Sequence, residues 1–167
     1  MTRFDGWPFL LQTLCMKGFS PKWIQWVETF ISSGSVAINV NDEVGHFFQT
    51  KKGLRQGDPL SPLLFNIVAD MLAILIKRAN EEAQISGVVH HLVDGGLSVL
   101  QYAEDTILFM EHNLDHARNL KLLLFAFEQA FGLKINLDKS EIYCFGEAKE
   151  RRTSIPSVLD VNLETFL

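Results

Sequence analysis

Apolar positions along the chain follow helical and extended rhythms in turn, and the switches between them mark out the elements. Pro8 suits the first turn of a helix carrying Leu11, Leu14 and Cys15, with Gly18 as its stop. Ser20 can cap a second helix from Pro21, in which Trp23, Val27, Phe30 and Ile31 recur at helical spacing as an inward face, and Ser33-Gly34 end it. Val36, Ile38 and Val40 then alternate with Ala37, Asn39 and Asn41 as in a half-exposed strand. Asn41-Asp42-Glu43 makes a turn, and residues 46–51 return as the partner strand. Asp58 or Ser61 caps a long helix over residues 62–83, where Leu64, Ile67, Val68, Met71, Leu72, Leu75 and Ile76 form a wide apolar stripe. That stripe marks the central helix. Its apolar run is interrupted by Ser61, Asn66 and Asp70 and is marginal in length, so it reads as buried and not as a membrane span.

The second half continues with two strands, 85–91 and 97–102, separated by Asp94-Gly95-Gly96. In residues 100–110, Leu100 and Tyr102 precede a pair of adjacent acids, Glu104-Asp105, and Ile107, Leu108, Phe109 and Met110 follow it. β-favouring runs of strand length on both sides predict a buried hairpin with two carboxylates at its tip. After a polar break at His112-Asn113, Ala117, Leu120, Leu124, Phe127 and Phe131 outline a helix from Asp115 that Gly132 terminates. Ile135 with Leu137, and then residues 142–145, read as two strands around a turn at Asp138-Lys139-Ser140. From Glu147 the pattern decays, and no element is predicted in residues 148–167. The fold class is therefore α+β, an antiparallel sheet with helices packed on one face.

At 167 residues and 47% hydrophobic composition, the chain fits one ordinary domain and excludes a disordered class. Cys15 and Cys144 lie far apart without metal-ligand spacing, which predicts reduced, structural thiols. Arg3 and Asp5 follow Met1 where a secretory signal would need an apolar core, so an intracellular protein is expected. His90 and His91 read as loop histidines. The net charge of −5 argues against strong nucleic-acid binding by this piece alone. Lys51, Lys52 and Arg55 are the densest positive cluster, and Gln56-Gly57 follows directly. Gly57, without a β-carbon, lets a flat ring or sugar approach the backbone, and Gln56 offers both a donor and an acceptor. Two adjacent carboxylates repel each other, so a tight turn carrying them is useful chiefly if a divalent cation neutralises them. A solvated acidic turn is the other reading.

Three segments in order change that balance. Gly53-Leu54-Arg55-Gln56-Gly57-Asp58-Pro59-Leu60-Ser61-Pro62, Tyr102-Ala103-Glu104-Asp105, and Gly132-Leu133-Lys134-Ile135-Asn136-Leu137-Asp138-Lys139 together resemble the palm of reverse transcriptases of LINE-like (non-LTR) retrotransposons. The resemblance implies a partial reverse transcriptase domain over residues 1–147, palm-like, with fingers and thumb largely absent and a remnant of the first motif at residues 1–10. It implies RNA-directed DNA polymerisation on an RNA template and DNA primer with deoxynucleoside triphosphates, using two Mg²⁺ ions about 3.5–4 Å apart. Metal-ligand positions then fall to Asp5, Glu104 and Asp105, template and nucleotide contacts to Arg55, Gln56, Gly57 and Tyr102, and proton donation to the leaving pyrophosphate to Lys139. Trp7, Phe9 and Leu10 match the downstream half of the first motif, but the spacing from Asp5 to Trp7 is two residues shorter than the family's. Either Asp5 is a displaced equivalent or Arg3 occupies the position.

Glu104 stands where the family has an aspartate. It keeps the charge but reaches farther by roughly one carbon-carbon bond, and a misplacement of about 1 Å can cost on the order of 10²-fold in rate. Efficient polymerisation is not expected. Two other readings are a palm remnant serving as a non-catalytic interaction module through bare apolar surface, and an unrelated α+β domain whose acidic hairpin is structural. The palm reading alone requires the loop at 55–57 and Asp105 to flank one cleft.

Overall fold

Local sequence accounts for most of the helix ends in the computed structural model, which describes residues 7–49, 59–103, 105–146, 154–160 and 162–164. Helix α1 (Trp7–Met16) ends as Gly18 adopts a φ of 80°, which lets the Phe19 amide bond the Leu14 carbonyl at 3.1 Å. Helix α2 (Pro21–Ser33) opens with proline in its first turn and is capped by Ser20, whose hydroxyl accepts from the Trp23 amide at 3.3 Å. Val27 and Ile31 are buried as expected, but Phe30 lies on the exposed flank.

Residues 35–49 form one interrupted hairpin. Strands β1 (Ser35–Val36) and β4 (Phe48–Gln49) pair antiparallel, as do β2 (Asn39–Val40) and β3 (Glu43–Val44) inside them. Asn41 and Asp42 hold φ values of 52° and 66°, the backbone of a primed two-residue turn. Val40 faces Glu43 while Val36 faces Phe48, so the returning leg carries one extra residue, a bulge beside Gly45, whose amide bonds the Ile38 carbonyl at 2.9 Å.

Helix α3 (Ser61–Glu81) buries Leu64, Ile67, Val68, Leu72, Ile76 and Ala79. Ser61 is its first residue and not its cap, because its hydroxyl is buried without a hydrogen-bond partner among the described residues. Asp58, the other expected cap, lies outside them. Ala83 ends the helix at φ 55°, with Ala83 N bonding Asn80 O and Gln84 N bonding Ala79 O, the two bonds of a Schellman motif.

The expected strand at 85–91 is a compact loop instead. The Leu92 and Val93 amides both turn back onto the Val89 carbonyl, and Val89 has a φ of 54°, leaving a single bridge between Val88 and Leu97. Strands β5 (Val99–Tyr102) and β6 (Asp105–Leu108) follow as an antiparallel pair. Helix α4 (Leu114–Phe131) is capped by Asn113, which accepts from the Asp115 amide at 2.8 Å and the His116 amide at 3.3 Å, and Gly132 ends it at φ 68°.

The expected strand at 135–137 is likewise absent, because Asn136 caps a single 3₁₀ turn at Leu137–Lys139. Two elements arise where the sequence pattern had decayed: helix α5 (Ser154–Leu159) and strand β8 (Asn162–Glu164), which pairs in parallel with β7 (Glu141–Tyr143). The fold is thus mixed helix and strand, as read from the sequence, but its described strands make four separate two-stranded sheets and not one antiparallel sheet. Strands of two to four residues cannot support a wide ladder.

The chain divides into two units, Met1–Ala69 with Gln129–Gly132, and Asp70–Glu128 with Leu133–Leu167. Leu10, Leu14, Val27, Ile31 and Leu64 are buried in the first, where the Phe9 and Phe131 rings meet at 6.1 Å. Ile76, Ile85, Ala117, Leu120, Phe127 and Ile155 are buried in the second, where Lys121 pairs with Asp160 at 2.6 Å. No helix among the described residues is long and apolar enough to cross a membrane.

Candidate functional site

The β5–β6 ladder sets Val99 opposite Leu108, Leu100 opposite Ile107, Gln101 opposite Thr106, and Tyr102 opposite Asp105. Two residues remain between the strands. The first, Ala103, has a φ of 51°, as a primed turn demands at that position; the second, Glu104, lies outside the described residues. Asp105 is therefore the first rung of β6, its backbone held by Tyr102, which is more rigid than a place in the loop itself.

Alternation puts Leu100, Tyr102, Asp105 and Ile107 on one face of the hairpin and Val99, Gln101, Thr106 and Leu108 on the other. The first face is exposed along its length, with Tyr102 at 84%. This corrects the expectation of a buried hairpin, since only Val99 and Leu108 at the base are half-buried. Asp105's carboxylate makes no hydrogen bond or ion pair with any described residue. An exposed carboxylate with no described partner, on the first rung of a strand, offers the oxygen ligands that a hard divalent cation takes.

Both legs of the hairpin are tied at their base. Leu97 and Val88 exchange backbone bonds at 2.7 and 2.8 Å, Phe109 N donates to Ser98 O at 2.9 Å, and Glu111 N donates to Ser86 O at 3.0 Å. His90 lies beside this base, its Nε2 at 3.4 Å from Ser86 Oγ and 3.7 Å from Glu111 Oε1. Serine and carboxylate meet the same ring nitrogen, so the trio cannot relay a proton through the imidazole as a hydrolase triad does.

Lys139 stands at the end of the 3₁₀ turn, its amide accepted by Asn136 Oδ1 at 3.2 Å and its ammonium exposed. Glu128 steadies the approach to that turn by accepting the Ile135 amide at 2.6 Å. Sequence reasoning did not single out Glu128, because a helix-surface glutamate gives no sign that it will cap a following loop.

Of the expected site residues, the structure joins Tyr102 with Asp105 as a facing pair and sets Lys139 on a separate turn. Asp5, Arg55, Gln56, Gly57 and Glu104 lie outside the described residues, and so does the expectation that the loop and the hairpin flank one cleft. Among the described residues, no three His, Cys, Asp or Glu side chains group as metal ligands. A site with several carboxylates around Asp105 would have to draw on acids beyond them.

Comparison with known proteins bears on what such a site serves. The profile of the family described as reverse transcriptase (RNA-dependent DNA polymerase) matches residues 6–159. The chain is 28% identical over 152 residues to a retrovirus-related Pol polyprotein from the type-2 retrotransposable element R2DM of Drosophila melanogaster, covering 86% of this chain and 13% of that protein. It is 26% identical over 132 residues to the corresponding polyprotein of a type-1 retrotransposable element R2 of Popillia japonica, covering 79% and 21%. A transposon TX1 protein of Xenopus laevis, uncharacterized and of 149 kDa, is 24% identical over 110 residues, covering 66% and 8%. The chain thus spans only a small part of the length of these three relatives.

Proposed function

The chain belongs to the reverse transcriptase (RNA-dependent DNA polymerase) family, as a reverse transcriptase domain of a LINE-type retrotransposon, and from that premise we propose that its acidic hairpin is the cation-binding edge of a nucleotidyl-transfer site. The facing pair of Tyr102 and Asp105 across a two-residue loop, with Asp105's carboxylate bonded to no described residue, carries this reading. In the proposal Glu104 and Asp105, with Asp5, are the carboxylates that hold Mg²⁺, and Tyr102 presents an aromatic face to a nucleotide beside them. When bound, the ions would lower the charge repulsion between the primer hydroxyl and the triphosphate. Arg55 supplies a fixed positive fork for phosphate, and Gln56 and Gly57 admit a base or sugar close to the backbone. Lys139 donates a proton toward the leaving pyrophosphate.

The extra methylene of Glu104 places its carboxylate beyond the position an aspartate would occupy, and Mg²⁺ tolerates little departure from octahedral geometry. Extension of a DNA primer on an RNA template, followed by gel with Mg²⁺ or Mn²⁺, tests this. Glu104→Asp is expected to extend on the order of 10²-fold faster than the unaltered chain, and Asp105→Asn to extend nothing. Equal rates for the unaltered chain and Glu104→Asp would contradict the role given to the extra methylene. Equal rates with Asp105→Asn would remove the hairpin from the chemistry.

A second reading, a non-catalytic interaction module, is favoured by the hairpin at 35–49, along which Ile38, Val40, Val44, Phe47 and Phe48 are each exposed. That reading expects Phe47→Ser with Phe48→Ser to abolish association measured by sedimentation while Asp105→Asn leaves it intact.

A further inference from the structure

We propose that Asn80, near the end of α3, is the positioning residue for the acidic hairpin, an inference that rests on reading Glu104 and Asp105 as a cation site. Its side-chain amide closes both ends of the loop that precedes β5: Nδ2 donates to the Gly95 carbonyl at 2.6 Å, and Oδ1 accepts the Gly87 amide at 3.2 Å. Those two bonds use the amide's donor and acceptor at once from two separate atoms; an ionised carboxylate has no donor, and a hydroxyl offers both functions only from one oxygen.

What Asn80 holds is the ground on which both hairpin legs stand. The leg entering β5 is bonded through Leu97 to Val88, and the leg leaving β6 is bonded through Glu111 to Ser86. Residues 86–88 thus carry both legs, and Gly87 at their centre hangs from Asn80. The seating is tight, because a β-carbon on Gly87 would stand 2.7 Å from the Leu97 carbonyl oxygen and one on Gly96 would stand 2.6 Å from His90 Cε1. Asn119 adds a brace from α4, donating to the Gln84 carbonyl at 2.7 Å.

A lever argument gives the consequence. From Leu97 to Tyr102 the extended chain advances by about five residue steps, roughly 17 Å at the usual rise. A tilt of about 3–4° at the base therefore moves the tip by roughly 1 Å, the scale on which positioning of a reacting group fails. The hairpin is a two-stranded ribbon with one exposed face, so the bonds at its base weigh heavily in fixing the direction of its tip. Groups that orient metal ligands without touching the metal change metal affinity by about 10- to 100-fold when removed.

The test uses the full chain with Mn²⁺ as probe. Free Mn²⁺ is read by electron paramagnetic resonance, and backbone amides are read by ¹⁵N–¹H spectra of the metal-free protein. Asn80→Ala is expected to weaken Mn²⁺ binding about 10-fold and to shift the Tyr102, Asp105 and Thr106 amides, while amides of the buried residues Leu14 and Val27 stay in place. Asn80→Asp keeps the acceptor for Gly87 and loses the donor to Gly95, and its added negative charge favours a cation, so weakened binding there would be a stringent confirmation. It also reads the proposal should Asn80→Ala fail to fold. Unchanged hairpin amides in these variants would overturn the positioning role whether or not Mn²⁺ binds. Shifted amides in a protein whose Mn²⁺ affinity is indifferent to Asp105→Asn would leave Asn80 as the hairpin's positioning residue and remove the cation site.

Discussion

Ala103 and Ala83 both hold left-handed backbone, at φ 51° and 55°, in places that usually call on glycine or asparagine. Each carries a steric penalty of about 1–2 kcal/mol that glycine would avoid, although glycine's greater unfolded-state freedom offsets part of that gain. Ala83→Gly is therefore expected to stabilise the fold by about 0.5–1 kcal/mol, seen as a rise in the thermal unfolding midpoint, and to leave Mn²⁺ affinity unchanged. Ala103→Gly should raise the midpoint similarly but loosen the loop beside Asp105, so a weaker Mn²⁺ affinity is expected there. Gly18 and Gly132 were legible as helix stops because glycine announces positive φ, whereas an alanine in the same conformation gives no sign of it. Asn80 was equally silent. Its importance depends on a loop fifteen residues away folding back to Gly95, which no local pattern encodes.

At the scale of elements, helices α1 to α4 were legible because each carries a periodic apolar face and a recognisable end, as with Ser20 before α2 and Asn113 before α4, whereas the six-residue α5 is too short to show such a period. The strands were less so. Ile135 and Leu137 have the composition of a strand, but Asn136 between them caps a 3₁₀ turn and the segment never pairs. Residues 85–91 fail in the same way because Val89 begins a turn. The last pair was invisible for another reason: β8 gains its strand character only from β7, some twenty residues earlier. Burial separates what each element contributes. Leu64 and Ile76 are completely buried on α3, so Leu64→Ala or Ile76→Ala should each cost about 2–5 kcal/mol in chemical denaturation. Ile107 is exposed on the hairpin face, and Ile107→Ala should cost under about 0.5 kcal/mol. A large loss at Ile107 would mean that this face is covered in solution.

Across the whole molecule, the acidic balance is unevenly shared. The first unit carries six Lys and Arg against five Asp and Glu, and the second nine against fifteen. The net charge of −5 therefore gathers in the unit that contains the acidic hairpin, which eases the conflict between that charge and a nucleic-acid partner. If Lys51, Lys52 and Arg55 supply the main phosphate contacts, log affinity for single-stranded RNA should fall against log salt with a slope of about −2. Fluorescence anisotropy over a salt series would show it, and Lys51→Glu with Lys52→Glu should flatten the slope toward −1 or less. The three motifs made the family legible from the sequence, because few other chemistries place those residues in that order. Whether they converge was not legible, since a loop in one unit and a hairpin in the other can face in any direction as far as composition and spacing are concerned. Paramagnetic broadening by Mn²⁺ in the ¹⁵N-labelled chain asks that directly. The account predicts that the amides of Tyr102 to Thr106 and of Arg55 to Gly57 broaden together at substoichiometric Mn²⁺. Broadening of the hairpin with the loop left sharp, or of neither, would contradict it.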